Sequence, residues 1–306
     1  MNSITMFERI LTIILPVFCI IAVGYAYTRL RGSAVKADMA SVNRLCTDVL
    51  SPLLVFTAMA AKDFDLAQNG MLIAAGVLIS LGSCLLAWPL ARALGYDVRT
   101  FLPPMIFNNC GNMGLPLAAL AFGQAGLSAA VALFMACNLV YFSLGIKILA
   151  SGKPQAQNAT WRLLLNPMML AMMAGLAVSL VRIDLPAPLF QGLKMLGEAS
   201  IPVMLFALGV RMRDMTLKSW QIGLVGAAVC PLAGLAVAWG LDLVLPLPAA
   251  QRAQMYLFAA LPPAVFCFMM AERYQQEPDK VASIVLLGNL AALLFVPFGL
   301  WLGLRH

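Results

Sequence analysis

Charge is scarce in this chain: Asp, Glu, Lys and Arg together make up 11% of its residues, against 62% that are hydrophobic. A water-soluble surface needs more polarity than that, so the two soluble domains that 306 residues would ordinarily suggest are excluded. Histidine is nearly missing, the one residue of this type being His306. No apolar run carries two carboxylates at catalytic spacing. An embedded hydrolase or transferase would therefore lack a base, a metal set and paired acids, and neither a metal nor another cofactor is expected. The seven cysteines fall inside or just beside apolar runs, which argues against a disulfide framework; they read as small free hydrophobes. Lys and Arg number 20 against 13 acidic residues, but they are scattered between apolar blocks. With no basic patch or helix, nucleic acid is not an expected partner, and the excess reads as facing anionic lipid headgroups. No long hydrophilic stretch is present either. The longest hydrophilic connector is 151–162, so no soluble domain is placed. The first apolar run lacks a basic leader and an Ala-x-Ala-like cleavage site and reads as a retained helix.

What the chain does have is a series of charge-free runs, at 10–28, 49–61, 71–91, 100–146, 163–181, 199–210, 219–241, 253–271 and 281–304. A bilayer core about 30 Å thick takes roughly 20 helical residues to cross. The run 100–146 is long enough to cross twice and turns most simply at Phe122-Gly123-Gln124-Ala125-Gly126, which makes ten spans. Two runs, 49–61 and 199–210, reach that length only when extended back through an acidic residue, Asp48 in one and Glu198 in the other. Of the 20 Lys and Arg, 14 fall on the side that takes the loops after the odd-numbered spans. That side is expected to be cytoplasmic, with both termini periplasmic.

The chain also repeats. A shift of 151 residues superposes Pro16 on Pro167, Gly24 on Gly175, Trp88 on Trp239 and Asn138 on Asn289; a shift of 150 superposes Asp48, Pro52 and Phe56 on Glu198, Pro202 and Phe206. This reads as two five-span repeats, 1–150 and 163–306, joined by the connector 151–162. Because five is odd, the second copy enters the membrane from the opposite side, which is the inverted-repeat plan of many secondary transporters, with the site at mid-depth between the copies.

Helix is least expected in the fourth span of each repeat. Span 4 carries Asn108, Asn109, Gly111, Asn112, Gly114 and Pro116 at its centre; the ring of Pro116 would clash with the carbonyl of Asn112. Span 9 carries Pro262-Pro263 at a similar depth, a pair suited to the first turn of a new half-helix. Two half-helices starting at mid-membrane would offer unpaired N–H groups to an anion. Asn108, Asn109 and Asn112 would add neutral amides there, with Asn138 and Asn289 doing the same from spans 5 and 10. Such a neutral lining would hold a carboxylate without a fixed cation. The competing reading makes these asparagines polar glue between helices. Asp48 and Glu198 are candidates for coupling or gating, since a carboxylate within a span is functional by default. Each follows a base by four residues, Arg44 and Lys194, so each pair could instead neutralise itself.

The stretch Asn109-Cys110-Gly111-Asn112-Met113-Gly114-Leu115-Pro116-Leu117, followed by Phe122-Gly123, resembles the auxin efflux carrier family of plant and bacterial membrane transporters, whose bacterial members include malonate and malate permeases. The resemblance implies an all-α polytopic fold in which helices 4 and 9 are broken and cross. It places Asn109, Asn112 and Pro116 at the crossing with Pro262 and Pro263, and Asn138 near a substrate carboxylate. It also implies elevator-like movement against a scaffold that often forms a homodimer. The short connector departs from plant members, which puts regulation through a long loop, and auxin as substrate, in doubt. The expected function is secondary transport of a small organic anion, a dicarboxylate such as malonate or malate, across a bacterial inner membrane. The alternatives are a carrier of a monocarboxylate or auxin-like aromatic acid, an anion channel and a receptor; the last lacks any appended signalling domain.

Overall fold

The computed structural model describes residues 3–32, 34–61, 64–151, 166–213, 215 and 217–305. Apart from Ser151, the expected connector 151–162 lies outside the described residues. Those residues are mostly helical, with one isolated β-bridge. Six helices are long and apolar enough to cross a membrane: Ile10–Arg31, Leu66–Ala93, Gly126–Ala150, Ala187–Met212, Trp220–Asp242 and Pro278–Leu304. The other apolar segments are short or broken, among them Cys110–Gly123 and Pro167–Val181. The turn expected at 122–126 is present as a kink, where Gly123 adopts φ 67° and ψ −156°, a conformation open to glycine.

Local sequence explains the start of several helices. Asp65 accepts from the amides of Ala67 and Gln68, Asp97 from that of Arg99, and Asn166 from that of Met168, each satisfying a first-turn donor. Three helices also contain a single wide turn of π type, at Cys46–Leu50, Cys110–Gly114 and Tyr141–Gly145. Two of these precede a proline at the second position of the following helix, Pro52 and Pro116. A proline ring collides with the carbonyl four residues back. Those carbonyls belong to Asp48 and Asn112, both inside the wide turns, and widening the turn removes the collision.

Among apolar helices in lipid, association depends on close packing rather than on escape from water, and small residues permit it. A Cβ on Gly24 would lie 2.2 Å from the backbone oxygen of Phe206, and one on Gly175 would lie 2.8 Å from that of Phe56. Ser3–Arg31 thus packs tightly on Ala187–Met212, and Pro167–Val181 on Ser51–Met59. The two contacts exchange members under the sequence repeat, Gly24 corresponding to Gly175 and Phe206 to Phe56.

At one end of the molecule a polar cluster ties the segment before Val98–Ile106 to the one before Pro278–Leu304. Thr100 donates to a Glu277 carboxylate oxygen at 2.6 Å, and Gln276 donates to Asp97 at 3.0 Å and to Thr100 at 3.1 Å. Lys280 pairs with Glu277.

Candidate functional site

The helix expected as span 4 is interrupted between Ile106 and Cys110, and the one expected as span 9 between Ala259 and Val265. The two unwound stretches lie against each other. Asn109 donates its backbone N–H to Pro262 O at 2.6 Å, and Ala264 donates to Phe107 O at 3.0 Å. The result is a short antiparallel bridge between Asn108 and Pro263. Backbone groups released by the breaks are therefore satisfied by each other, as a low-dielectric setting requires. Thiols assist weakly: Cys267 Sγ lies 3.7 Å from Phe107 O and from Pro103 O, and Cys230 Sγ 3.6 Å from Pro104 O. Pro262 and Pro263 sit in the unwound stretch, and the half-helix starts two residues later at Val265. Their expected place in its first turn is corrected, because pairing with the other strand holds them extended. Gly288 completes the fit: a Cβ there would lie 2.6 Å from the Pro263 ring.

A cavity of about 210 Å³ opens beside this crossing. Asn108, Asn109, Gly111, Asn112 and Asn138 line it, together with Ala264 and Phe266 from the second break. Gly111 and Asn112 occupy the first turn of one half-helix, and Phe266 that of the other, where N–H groups have no intrahelical acceptor. All three π turns border the cavity, through Cys46 and Thr47, Gly111 and Asn112, and Phe142; such turns concentrate at functional sites. Phe107, Phe142 and Phe266 form an aromatic wall backed by the buried Tyr141, whose ring stacks on Phe107 at 4.4 Å between centroids.

The other predicted residues divide into four groups. Asn108, Asn109, Asn112 and Asn138 share the cavity, and Asn138 gives one of its two amide hydrogens to Phe134 O at 2.7 Å. Asn289 lies on the far side of the crossing, where it accepts from Asn109 at 3.0 Å and donates to Pro263 O and Val285 O; it borders a neighbouring groove. Gly114 and Pro116 are buried behind the crossing, Gly114 against Leu261 and Phe258. Asp48 and Glu198 are exposed on the outside of the bundle, 3.6 Å from Arg44 and 3.8 Å from Lys194, and neither lines this cavity.

Two features were not anticipated. Asn43 and Asn166 reach the cavity from helix ends, and Arg211 lines it as well. The expected lining without a fixed cation is therefore corrected. Arg211 belongs to a cluster of basic residues near a helix end that sequence alone reads as a topology signal. Its turn toward the interior has no counterpart in composition or spacing.

The chain matches the model for membrane transport proteins over residues 9–300 and belongs to that family, the auxin efflux carriers, whose members are transporters rather than enzymes. It is 25% identical over 298 residues to a protein of Rhizobium meliloti named "Putative malonate transporter", covering 92% of each chain. It is 24% identical over 302 residues to an "Uncharacterized transporter" of Methanothermobacter thermautotrophicus, covering 94% of this chain and 96% of the relative.

Proposed function

We propose that this family member is a secondary carrier for a small organic anion, a dicarboxylate of the malonate or malate class, working by alternating access across a bacterial inner membrane. The observation that carries the reading is the paired break: two interrupted helices meet back to back, and an asparagine-lined cavity opens where both half-helices begin. Partial positive charge at those starts and neutral amides around them suit a carboxylate.

In this reading the chain crosses the membrane ten times as two inverted repeats, with both termini periplasmic. The exchange of Gly24–Phe206 for Gly175–Phe56 supports such a relation, since each copy packs its first helix on the second helix of the other. Those four helices would form a fixed scaffold, a site for homodimer formation, and the crossed helices would move against it as an elevator. The name of the rhizobial relative agrees with malonate as cargo.

A second reading, a carrier of an aromatic monocarboxylate, rests on the wall of Phe107, Phe142 and Phe266. Cavity size favours the first, because about 210 Å³ falls below the roughly 300 Å³ at which pockets for larger organic ligands begin. The experiment is uptake of radiolabelled malonate into proteoliposomes. Saturation and counterflow from malonate-loaded vesicles are expected of a carrier. Linear, non-saturating flux would indicate a channel, and absence of any carboxylate uptake would refute the assignment.

A further inference from the structure

Arg211 stands at the end of Ala187–Met212, a position where a cation ordinarily serves the helix dipole and points to solvent. The next basic residue, Arg213, donates its guanidinium to the backbone oxygen of Thr28 on a different helix. Arg211 is partly buried and lines the same cavity as the asparagines. Among the described residues, its hydrogen-bond contact is to the thioether of Met269, 3.5 Å from Nη1. Among the described residues, no carboxylate lies within 4 Å of it, and no Asp or Glu lines the cavity. A guanidinium has five N–H donors in a fixed fork that fits a carboxylate. A thioether is a weak acceptor and satisfies little of that capacity.

The cavity thus has two kinds of anion-seeking group in its lining: the half-helix starts with Asn112 and Asn138, and a fixed positive charge carried by a different helix. We infer that Arg211 receives the second anionic group of the substrate, so that the site selects short dicarboxylates over monocarboxylates. This rests on the carrier reading above and adds to it the residue that decides substrate valency. A dianion can pair with both. A monoanion of equal size leaves the partly buried guanidinium without that partner, which costs affinity. Discrimination therefore comes from the penalty against the wrong substrate as much as from attraction to the right one.

The test compares malonate with propionate, which keeps the three-carbon length and lacks one carboxylate, in proteoliposomes carrying the full chain, either wild type or with Arg211→Gln or Arg211→Lys. Wild type is expected to prefer malonate. In Arg211→Gln the KM for malonate should rise at least about tenfold, the scale of one charged hydrogen bond, while propionate changes little, so the preference collapses. Arg211→Lys should retain the preference with a smaller rise in KM, since charge is kept and the fork is lost. A purely structural role for Arg211 would move both substrates together and would overturn the inference. So would equal handling of malonate and propionate by wild type, or an unchanged malonate preference in Arg211→Gln. If Arg211→Gln does not assemble, Arg211→Lys decides: a malonate KM that rises while that for propionate stays constant supports the inference, and an unchanged ratio of the two overturns it. Wild type that carries neither acid refutes the carrier reading itself, whereas malonate transport indifferent to Arg211 refutes this inference alone.

Discussion

Asn109 donates its side-chain amide to the side-chain oxygen of Asn289 at 3.0 Å, joining residues 180 positions apart. Asn289 in turn donates to Pro263 O at 3.2 Å. One buried asparagine therefore touches both unwound stretches and fixes how they lie against each other.

Replacing Asn289 by Leu strips a partner from Asn109 and a donor from Pro263 O. Leaving such groups unpaired costs about 1–3 kcal/mol. The thermal midpoint of the purified variant, followed by intrinsic fluorescence in detergent, should fall. A midpoint equal to that of wild type would show that the crossing does not depend on this bridge.

Close approach at the crossing makes a sharper comparison between two glycines. Gly288→Ala would place a methyl 2.6 Å from the rigid Pro263 ring, whereas a Cβ on Gly240 meets nothing within 4 Å. Overpacking of this kind costs about 1–3 kcal/mol. Alanine in an exposed helix interior instead stabilises by about 0.5–1 kcal/mol. Opposite shifts in midpoint are expected, and shifts of the same sign would contradict the packing described.

The cluster around Thr100 gives a pH dependence. Hydrogen bonds from Arg99 hold the Asp97 carboxyl below its ordinary range. Burial pushes Glu277 up, but its bonds with Lys280 and Thr100 outweigh that and hold it down. A depressed carboxylate stabilises the fold above its ordinary pKa, and that contribution is lost as pH falls through the depressed value, here below about 4. Thr100→Val should lower the midpoint at neutral pH, and the gap to wild type should narrow in acid. A gap that widens in acid would contradict the sign.

Asp48 and Glu198 face outward in exposed ion pairs. Pairs of that kind contribute at most about 1 kcal/mol, so Asp48→Asn and Glu198→Gln should each leave malonate uptake within about fivefold of wild type. Loss of the response to an imposed pH gradient in either variant would instead establish the coupling role that their place in the apolar runs suggests.

How much of this is legible in the sequence depends on whether a feature leaves a compositional trace. The break near Asn108–Asn112 does, because proline, glycine and asparagine in an apolar run each weaken helix independently. The second break is legible too, but the half-helix after it reads as starting at Pro262-Pro263, whereas it starts at Val265. Proline after proline reads as a helix start, and only the partner strand, through the bond from Asn109 N to Pro262 O, shows that the pair stays extended. The wide turn at Tyr141–Gly145 has no proline behind it and no signature. The outward aim of Asp48 and the inward aim of Arg211 are matters of helix rotation within the bundle. A charge count over loops does not contain that information.

Equilibrium binding of malonate to the purified protein tests the asparagine-lined crossing most directly. Asn112→Ala and Asn138→Ala should each weaken binding by about tenfold or more, the scale of a hydrogen bond to a charged group, with thermal midpoints near that of wild type. Equal affinity for malonate in all three proteins would contradict the placement of the substrate at the crossing.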